Sequence, residues 1–354
     1  MKSFLLTIVL VGEFGRRAVR SQYALFALMI GLAPLGLVDS GGMKRKSCGR
    51  KQPMSTDSSD PRVVVEPSPV VRSRVAAYVA LTKPRIIELL LITTVPAMVL
   101  AANGWPGTWL VLTTLIGGTL SAAGANALNS YLDRDIDELM NRTRGRPLAR
   151  HEVPPRNALV FGVVLGIAGF AWLAVSTNLL AASISTAALL FYVFVYTMAL
   201  KRKSVQNIVI GGAAGAAPVL VGWAAVTGSV GVSAWVLFLI VFYWTPPHFW
   251  ALALRYKDDY ERAGVPMLPV VAGVEVTTRR MLLYTGLMVG VSLLLVPLGN
   301  MSWIYLIAAL VLGAWFLWDT WRVYREPSQA MRLFTTSTVY LSVLFAAVML
   351  DVLL

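Results

Sequence analysis

The sequence predicts an all-α protein, a polytopic membrane helical bundle of about nine transmembrane helices. Three observations carry that prediction. Of 354 residues, 57% are hydrophobic and only 14% charged, with a mean hydropathy of +0.67, whereas a soluble domain carries about 25% charged residues. Apolar runs recur at the length of about 20 residues that a helix needs to cross about 30 Å of hydrocarbon. Basic residues fall on alternate connections between those runs, the pattern of a chain with a fixed membrane orientation.

The apolar runs lie near 85–103, 107–131, 157–176, 178–200, 206–227, 232–254, 280–298, 302–320 and 333–353. The connection 132–156 holds Arg134, Arg142, Arg144, Arg146, Arg150 and Arg156, and the next alternate one is Lys201-Arg202-Lys203. Arg255, Lys257, Arg262, Arg279 and Arg280 follow, and then Arg322, Arg325 and Arg332. The intervening turns, such as Asn103–Gly107 and Thr227–Gly231, carry no Lys or Arg. This segregation puts the basic connections in the cytoplasm, beneath a cell (inner or plasma) membrane, and the C-terminus outside. A net charge of +13 would suit nucleic acid, but a nucleic-acid protein would not divide its charge with this periodicity. The partner expected is a lipid bilayer. The single cysteine, Cys48, excludes a disulfide framework and an all-cysteine metal site.

Residues 76–354 form the predicted membrane domain. Residues 1–75 read as a poorly ordered extension, because 43–75 are rich in Pro, Ser and basic side chains. Within it, 21–38 is apolar but flanked at both ends by basic residues, so it fixes no orientation as a tenth span. A start of translation at Met43 or Met54 would make Ser55–Pro69 an ordinary polar leader.

The chemistry concentrates on two connections. Asn126, Asn129, Asp133 and Asp137 recur at spacings of three and four, so a helix continuing past the second run would carry all four on one face. Two carboxylates and two amide oxygens form a hard-oxygen surface suited to Mg²⁺, which completes its coordination with substrate phosphate oxygens. Arg142, Arg144 and Arg146 follow at once, and guanidinium forks match phosphate oxygens; a solvated loop would carry such arginines too. Polar groups abutting an apolar span are costly and tend to be functional. The second connection contains Arg255, Lys257, Asp258, Asp259, Glu261 and Arg262. Two acidic patches on one membrane face suggest a two-part metal clamp on one diphosphate. Arg142, Arg146, Lys201, Lys203 and Arg255 are the candidate diphosphate contacts. Topology alone also accounts for Lys201-Arg202-Lys203.

These motifs resemble those of the UbiA-type intramembrane prenyltransferases, whose first motif is N-x-x-x-D-x-x-x-D and whose second is acidic. The resemblance is closer to one branch, the heme-farnesylating enzymes. It is carried by Leu81-Thr82-Lys83-Pro84-Arg85, Asn126–Asp137, Arg142-Thr143-x-x-Arg146-Pro147-Leu148, Asn207–Pro218, Pro247-His248-Phe249-Trp250 and Asp259–Pro269, over about 80–350. The wider superfamily commonly has D-x-x-x-D as its second motif, but Ala263 stands four residues after Asp259, as in the heme branch. The resemblance leaves open which of Asp258, Asp259 and Glu261 meets metal, and Asp259 is the candidate taken here. It implies Mg²⁺-dependent transfer of a farnesyl group from farnesyl diphosphate to a vinyl group of heme B, with addition of water, giving heme O and diphosphate. A downstream heme A synthase would be a further partner. His248 follows Thr245-Pro246-Pro247, which should break or kink its helix; the imidazole would ligate heme iron or bond a freed carbonyl. The rivals are a quinone-precursor prenyltransferase and, from another class, a transporter, which would place its charges near the midplane and show internal repeats.

Overall fold

The computed structural model describes residues 72–354, which form helices joined by short connections. In chain order they are α1 (Arg74–Thr82), α2 (Pro84–Ala102), α3 (Thr108–Leu132), α4 (Arg134–Leu139) and α5 (Pro155–Ser176). Next come α6 (Leu179–Leu190), which runs on as a π-helical stretch (Phe191–Leu200), then α7 (Asn207–Thr227), α8 (Val232–Arg255), α9 (Lys257–Arg262) and α10 (Leu268–Val271). The chain closes with α11 (Gly273–Leu298), α12 (Trp303–Arg325) and α13 (Ala330–Leu353). Among the described residues, 8 helices are long and apolar enough to cross a membrane, and up to 9 if Arg74–Glu88 and Leu91–Ala102, bent by 47° to each other, count as one broken span. Every predicted run has its helix. The expected extension 1–75 lies outside the described residues apart from its last few positions.

Two boundaries differ for a physical reason. The seventh run was placed from 280, yet α11 starts at Gly273. Thr277 Oγ1 donates to the Gly273 carbonyl at 2.7 Å, Thr278 Oγ1 to that of Glu275 at 3.0 Å, and Arg279 pairs with Glu275 one turn away. Polar turns that satisfy themselves locally are helical without being apolar. The run placed at 302–320 extends to Arg325 for the same kind of reason, its last turn being basic.

Three irregularities position the charged end of the bundle. The α1–α2 break centres on Lys83, which adopts φ 53° and ψ 63° ahead of Pro84; a residue before proline is kept out of the right-handed helical region. The Thr82 carbonyl at the break is bonded by Asn126 Nδ2 of α3 at 2.9 Å. The π-helical stretch carries five-residue backbone steps such as Lys201 N to Tyr196 O at 2.8 Å, and Thr197 Oγ1 reaches the Tyr192 carbonyl at 2.8 Å. Such segments recur at functional sites. Finally α3 and α5 touch backbone to backbone. A Cβ on Gly124 would lie 2.8 Å from the Gly162 carbonyl, and one on Gly169 would lie 2.8 Å from the Ser121 nitrogen, so only small residues permit this approach.

Of the expected break or kink at Pro246-Pro247, there is no break: α8 is one continuous helix from Val232 to Arg255. The two prolines remove two backbone donors, but Trp244, Thr245, Pro246, Pro247, His248 and Trp250 are all buried, and packing on all sides holds the helical course. The largest apolar core joins α7, α8, α11, α12 and α13, and Ile136 and Met140 from the α3–α5 connection pack into it with Tyr260, Val265 and Met267. The two charged connections therefore fold together over one end of the bundle.

Candidate active site

The predicted stripe is present and buried, although α3 does not continue through it. α3 stops at Leu132, Asp133 takes φ −92° and ψ 2°, and the helix resumes as α4. The four-residue backbone bonds persist across the junction, from Asp133 N to Asn129 O and from Asp137 N to Asp133 O, both at 2.9 Å. The spacing thus keeps its meaning. Asn126, Asn129 and Asp137 are almost fully buried, and Asp133 is 0% exposed.

Each member of the stripe has a defined partner. Asn129 Oδ1 accepts from Lys83 Nζ at 2.6 Å. Its Nδ2 donates to Asp133 Oδ2 at 2.8 Å and to Thr197 Oγ1 at 3.1 Å. Lys201, at the end of the π-helical stretch, forms an ion pair with Asp133 Oδ2, while Asp133 Oδ1 is buried with no hydrogen-bond partner. Asp137 receives Arg146 Nη1 on both oxygens at 2.8 Å. Asn126 instead ties α3 to the α1–α2 break.

The second connection meets the first through Asp259. This carboxylate is buried, whereas Asp258 and Glu261 are exposed. Asn141 Nδ2 donates to its Oδ1 at 3.1 Å, the backbone N–H of Arg142 donates to its Oδ2 at 3.2 Å, and Arg262 pairs with it. Arg142 also reaches the Tyr260 hydroxyl at 3.4 Å. The turn 140–146 is therefore held at one end by Asp259 and at the other by Arg146 on Asp137. At the rim, Arg202 grips Asp135 with two bonds of 2.7 Å, and these bonds hold the Asp135 carboxyl below its ordinary range.

The structure thus brings together Asn126, Asn129, Asp133, Asp137, Arg146 and Lys201, with Arg142 and Asp259 beside them. Arg255 and Lys203 are exposed on the same end of the bundle, Arg255 lying over the Tyr256 ring at 5.9 Å. His248 lies apart, within α8. Sequence reasoning passed over Lys83, Asn141, Thr197 and Arg262. The signal for Lys83 was available, since a Lys-Pro step at a span boundary marks a break that turns a cation inward. The π-helical stretch that presents Thr197 has no comparable signature.

No three His, Cys, Asp or Glu side chains converge among the described residues, so no all-protein metal cage exists there. Mg²⁺ usually takes one or two carboxylates, completed by water and substrate phosphate. The unpaired, buried Asp133 Oδ1 and an all-oxygen donor set fit that pattern. Beside the cluster, an apolar groove of about 450 Å³ runs between α3, α5 and α6 with its π-helical extension. Leu128, Tyr131, Leu132, Gly166, Phe170 and Met198 are among its lining. Tyr131 and Leu132 directly precede Asp133 in the sequence, and Ile167, Phe194 and Met198 of the lining are exposed on the outer face of the bundle.

A multi-pass helical bundle with a buried oxygen-and-base cluster at one end, and an apolar groove next to it, defines a class of intramembrane proteins. A model of the UbiA prenyltransferase family matches residues 90–348. The protoheme IX farnesyltransferase of Clavibacter michiganensis subsp. michiganensis is 54% identical over 289 residues, which cover 80% of this chain and 94% of that protein. Among solved structures, a digeranylgeranylglyceryl phosphate synthase aligns with a TM-score of 0.66 at 19% identity, over 79% of this chain and 98% of that one. A UbiA homolog from Archaeoglobus fulgidus bound to DMAPP and Mg²⁺ aligns with a TM-score of 0.54 at 15% identity, over 77% and 98%. The chain belongs to the UbiA prenyltransferase family.

Proposed function

We propose that this protein transfers a farnesyl group from farnesyl diphosphate to a vinyl group of heme B with addition of water, giving heme O and diphosphate. The observation that carries the donor half is Asp133: a fully buried carboxylate with one bare oxygen, flanked by Lys201 and Asn129. The bare Asp133 oxygen would repel an anionic substrate, and a hard cation between the two would remove that repulsion. Asp133, Asp137 and Asp259, with the amide oxygens of Asn126 and Asn129, are the groups to hold Mg²⁺, which supplies positive charge against the leaving diphosphate when bound. The Archaeoglobus homolog, bound to DMAPP and Mg²⁺, supports a prenyl diphosphate donor used with Mg²⁺.

The chain's own residues do the remaining work. Arg142, Arg146, Lys201, Lys203 and Arg255 bind and orient the diphosphate, and Lys83 keeps Asn129 turned toward Asp133. Fixed cations at the departing oxygen stabilise the charge that develops there. The groove beside Asp133 takes the isoprenoid tail, and its apolar walls keep water from the allylic cation. The vinyl group is electron-rich, so no side-chain nucleophile is needed. His248 is assigned to the heme.

The acceptor rests on kinship. Relatives that share about half their residues with this chain along nearly their whole length carry the name protoheme IX farnesyltransferase, and no feature of the cluster distinguishes heme from a quinone precursor. We place the catalytic unit at 76–354, its charged connections in the cytoplasm and its bundle in the cell membrane, where a heme A synthase would receive the product. The test is to incubate purified protein with heme B, farnesyl diphosphate and Mg²⁺ and to follow heme O by mass. Product that disappears on chelation of Mg²⁺ is expected. Prenylation of 4-hydroxybenzoate or a naphthoate, with no heme O, would overturn the acceptor.

A further inference from the structure

The α12–α13 connection lies at the same end of the bundle as the charged cluster, since α8 ends there, α11 leads away from it and α12 returns. At this corner Asp319 of α12 is buried, its side chain 4% exposed. Thr336 Oγ1 of α13 donates to its Oδ2 at 2.5 Å. Its Oδ1 faces two guanidiniums, with Arg332 Nε of α13 at 3.5 Å and Arg322 Nη1 of α12 at 3.9 Å. Both distances exceed the usual hydrogen-bond range. Among the described residues, no hydrogen bond uses a guanidinium N–H of Arg322, Arg325 or Arg332. One buried carboxylate therefore draws two guanidiniums together without occupying their donors. Both remain accessible, with 32% of the Arg322 side chain and 52% of the Arg332 side chain exposed. Glu326, the other carboxylate here, is bonded by Ser328 and Gln329. Three guanidiniums and two carboxylates leave the corner with one positive charge.

The surface beside this corner suits acyl chains. Ile307, Val311, Ala314, Trp318, Trp321 and Arg325 recur at spacings of four and three, and all are exposed, so they form one stripe along α12. The stripe runs from small and aliphatic residues to Trp318 and Trp321, stacked at 4.9 Å between centroids, and then to Arg325, 5.8 Å over the Trp321 ring. That is the order of a lipid-facing helix passing from hydrocarbon to headgroups. Arg322 stands four residues after Trp318 and three before Arg325, so it joins the stripe to the Asp319 corner. We infer that this corner is a binding site for the phosphate of an anionic phospholipid headgroup, held by the Arg322 and Arg332 guanidiniums, with the acyl chains along the Trp318 stripe. Guanidinium forks match phosphate oxygens, and basic pockets at the ends of spanning helices take anionic headgroups. The single excess charge matches one phosphodiester. A zwitterionic lipid would bring an ammonium to a corner that is already positive, and a free phosphate would gain nothing from the stripe. Fastening α12 to α13 needs only the Thr336 bond, and two guanidiniums that merely fastened helices would spend their donors on the carboxylate.

Native mass spectrometry of the detergent-solubilised full chain, titrated with phosphatidylglycerol and with phosphatidylcholine of the same acyl chains, tests the site. The parent should bind phosphatidylglycerol at least about tenfold more tightly, the worth of two arginines at an anionic headgroup. Asp319→Asn combined with Arg322→Gln and Arg332→Gln neutralises the corner and strands no buried charge, so this variant should fold and lose the preference. Asp319→Asn alone releases both guanidiniums and should tighten phosphatidylglycerol binding. Arg279→Gln with Arg280→Gln removes positive charge from the same end of the bundle and should leave the preference unchanged. A triple variant that keeps the preference would overturn the site, as would an Arg279/Arg280 variant that loses it to the same degree, since diffuse surface charge would then account for the binding. Weaker phosphatidylglycerol binding by Asp319→Asn would also overturn it. Inorganic phosphate that displaces the bound phosphatidylglycerol would assign the corner to a free anion and overturn the lipid.

Discussion

Asp133→Asn separates the structural and chemical roles of the charged cluster. Asp133 is fully enclosed, and its partner Lys201 has only 17% of its side chain exposed, so the variant strands an ammonium in a site of low dielectric. Removing one member of a buried ion pair costs about 3–5 kcal/mol, and the residual exposure of Lys201 puts this case at about 3 kcal/mol, the lower end of that range. Replacing both members by uncharged groups is often close to neutral, so Asp133→Asn with Lys201→Met should recover most of the lost thermal stability. Activity should behave differently. If Asp133 Oδ1 is a metal oxygen, both the single and the double variant should lose at least about 10³-fold in kcat/KM, or about 4 kcal/mol at 1.36 kcal/mol per decade. Melting in detergent and heme O formation by mass measure the two quantities on the same preparations. A double variant that regains turnover along with stability would show that Asp133 serves only to hold Lys201, and would remove it from the metal site.

Three further outcomes are expected. Val163→Trp, which narrows the apolar groove without touching the charged cluster, should shift donor preference from farnesyl to geranyl diphosphate. Excluding one five-carbon unit forfeits up to about 4 kcal/mol of burial at about 0.8 kcal/mol per carbon, so a change of at least about 30-fold in relative kcat/KM should register in a competition assay; an unchanged ratio places the tail elsewhere. Asp259→Asn should loosen the joint between the 133–153 and 256–272 connections, so that limited proteolysis cuts near Arg142 faster while the helices stay protected. Arg202→Ala tests the rim pair. Arg202 holds the Asp135 carboxyl below its ordinary value of about 3.9, so the pair's contribution is fully present above about pH 4 and is lost as the pH falls through the lowered folded value. The difference in melting temperature between parent and variant should therefore be constant near neutrality and vanish in acid; a gap that widens in acid contradicts the pairing.

Hydropathy and alternating loop charge made the helices legible, because a spanning helix must satisfy both along its length. The places where sequence reasoning erred are those where polar groups satisfy one another locally. Thr277, Thr278 and the Glu275–Arg279 pair start α11 seven residues before the apolar run, and packing keeps α8 helical through Pro246-Pro247. The Asn/Asp stripe was legible for a different reason. Its spacing survives the helix break at Asp133, since the four-residue backbone bonds bridge it. What sequence spacing does not contain is the closing of the site by distant residues. Lys83 reaches Asn129 from the junction between α1 and α2, Thr197 and Lys201 arrive from a π-helical stretch, and Asn141 meets Asp259 across 118 positions.

The pairing of every carboxylate with a base bears on how such a site can exist within a bundle at all. Lys201, Arg146 and Arg262 each pair with one of Asp133, Asp137 and Asp259, so the three pairs are formally neutral, while Lys83, whose pKa burial lowers well below the ordinary lysine value, bonds Asn129. A bare acidic cluster would raise carboxylate pKa values and destabilise the fold, because unpaired buried charge is costly. A purely basic cluster would bind diphosphate but leave the metal without oxygens. The mixed cluster resolves both demands. It is close to neutral on its own, and a magnesium-bound diphosphate, itself weakly anionic, leaves it close to neutral again. In the proposed function the bases would have two tasks, holding the carboxylates apart and then taking phosphate oxygens. Asp133 is the carboxylate best placed to meet a metal in that reading, since it alone of the three has one oxygen committed and the other bare.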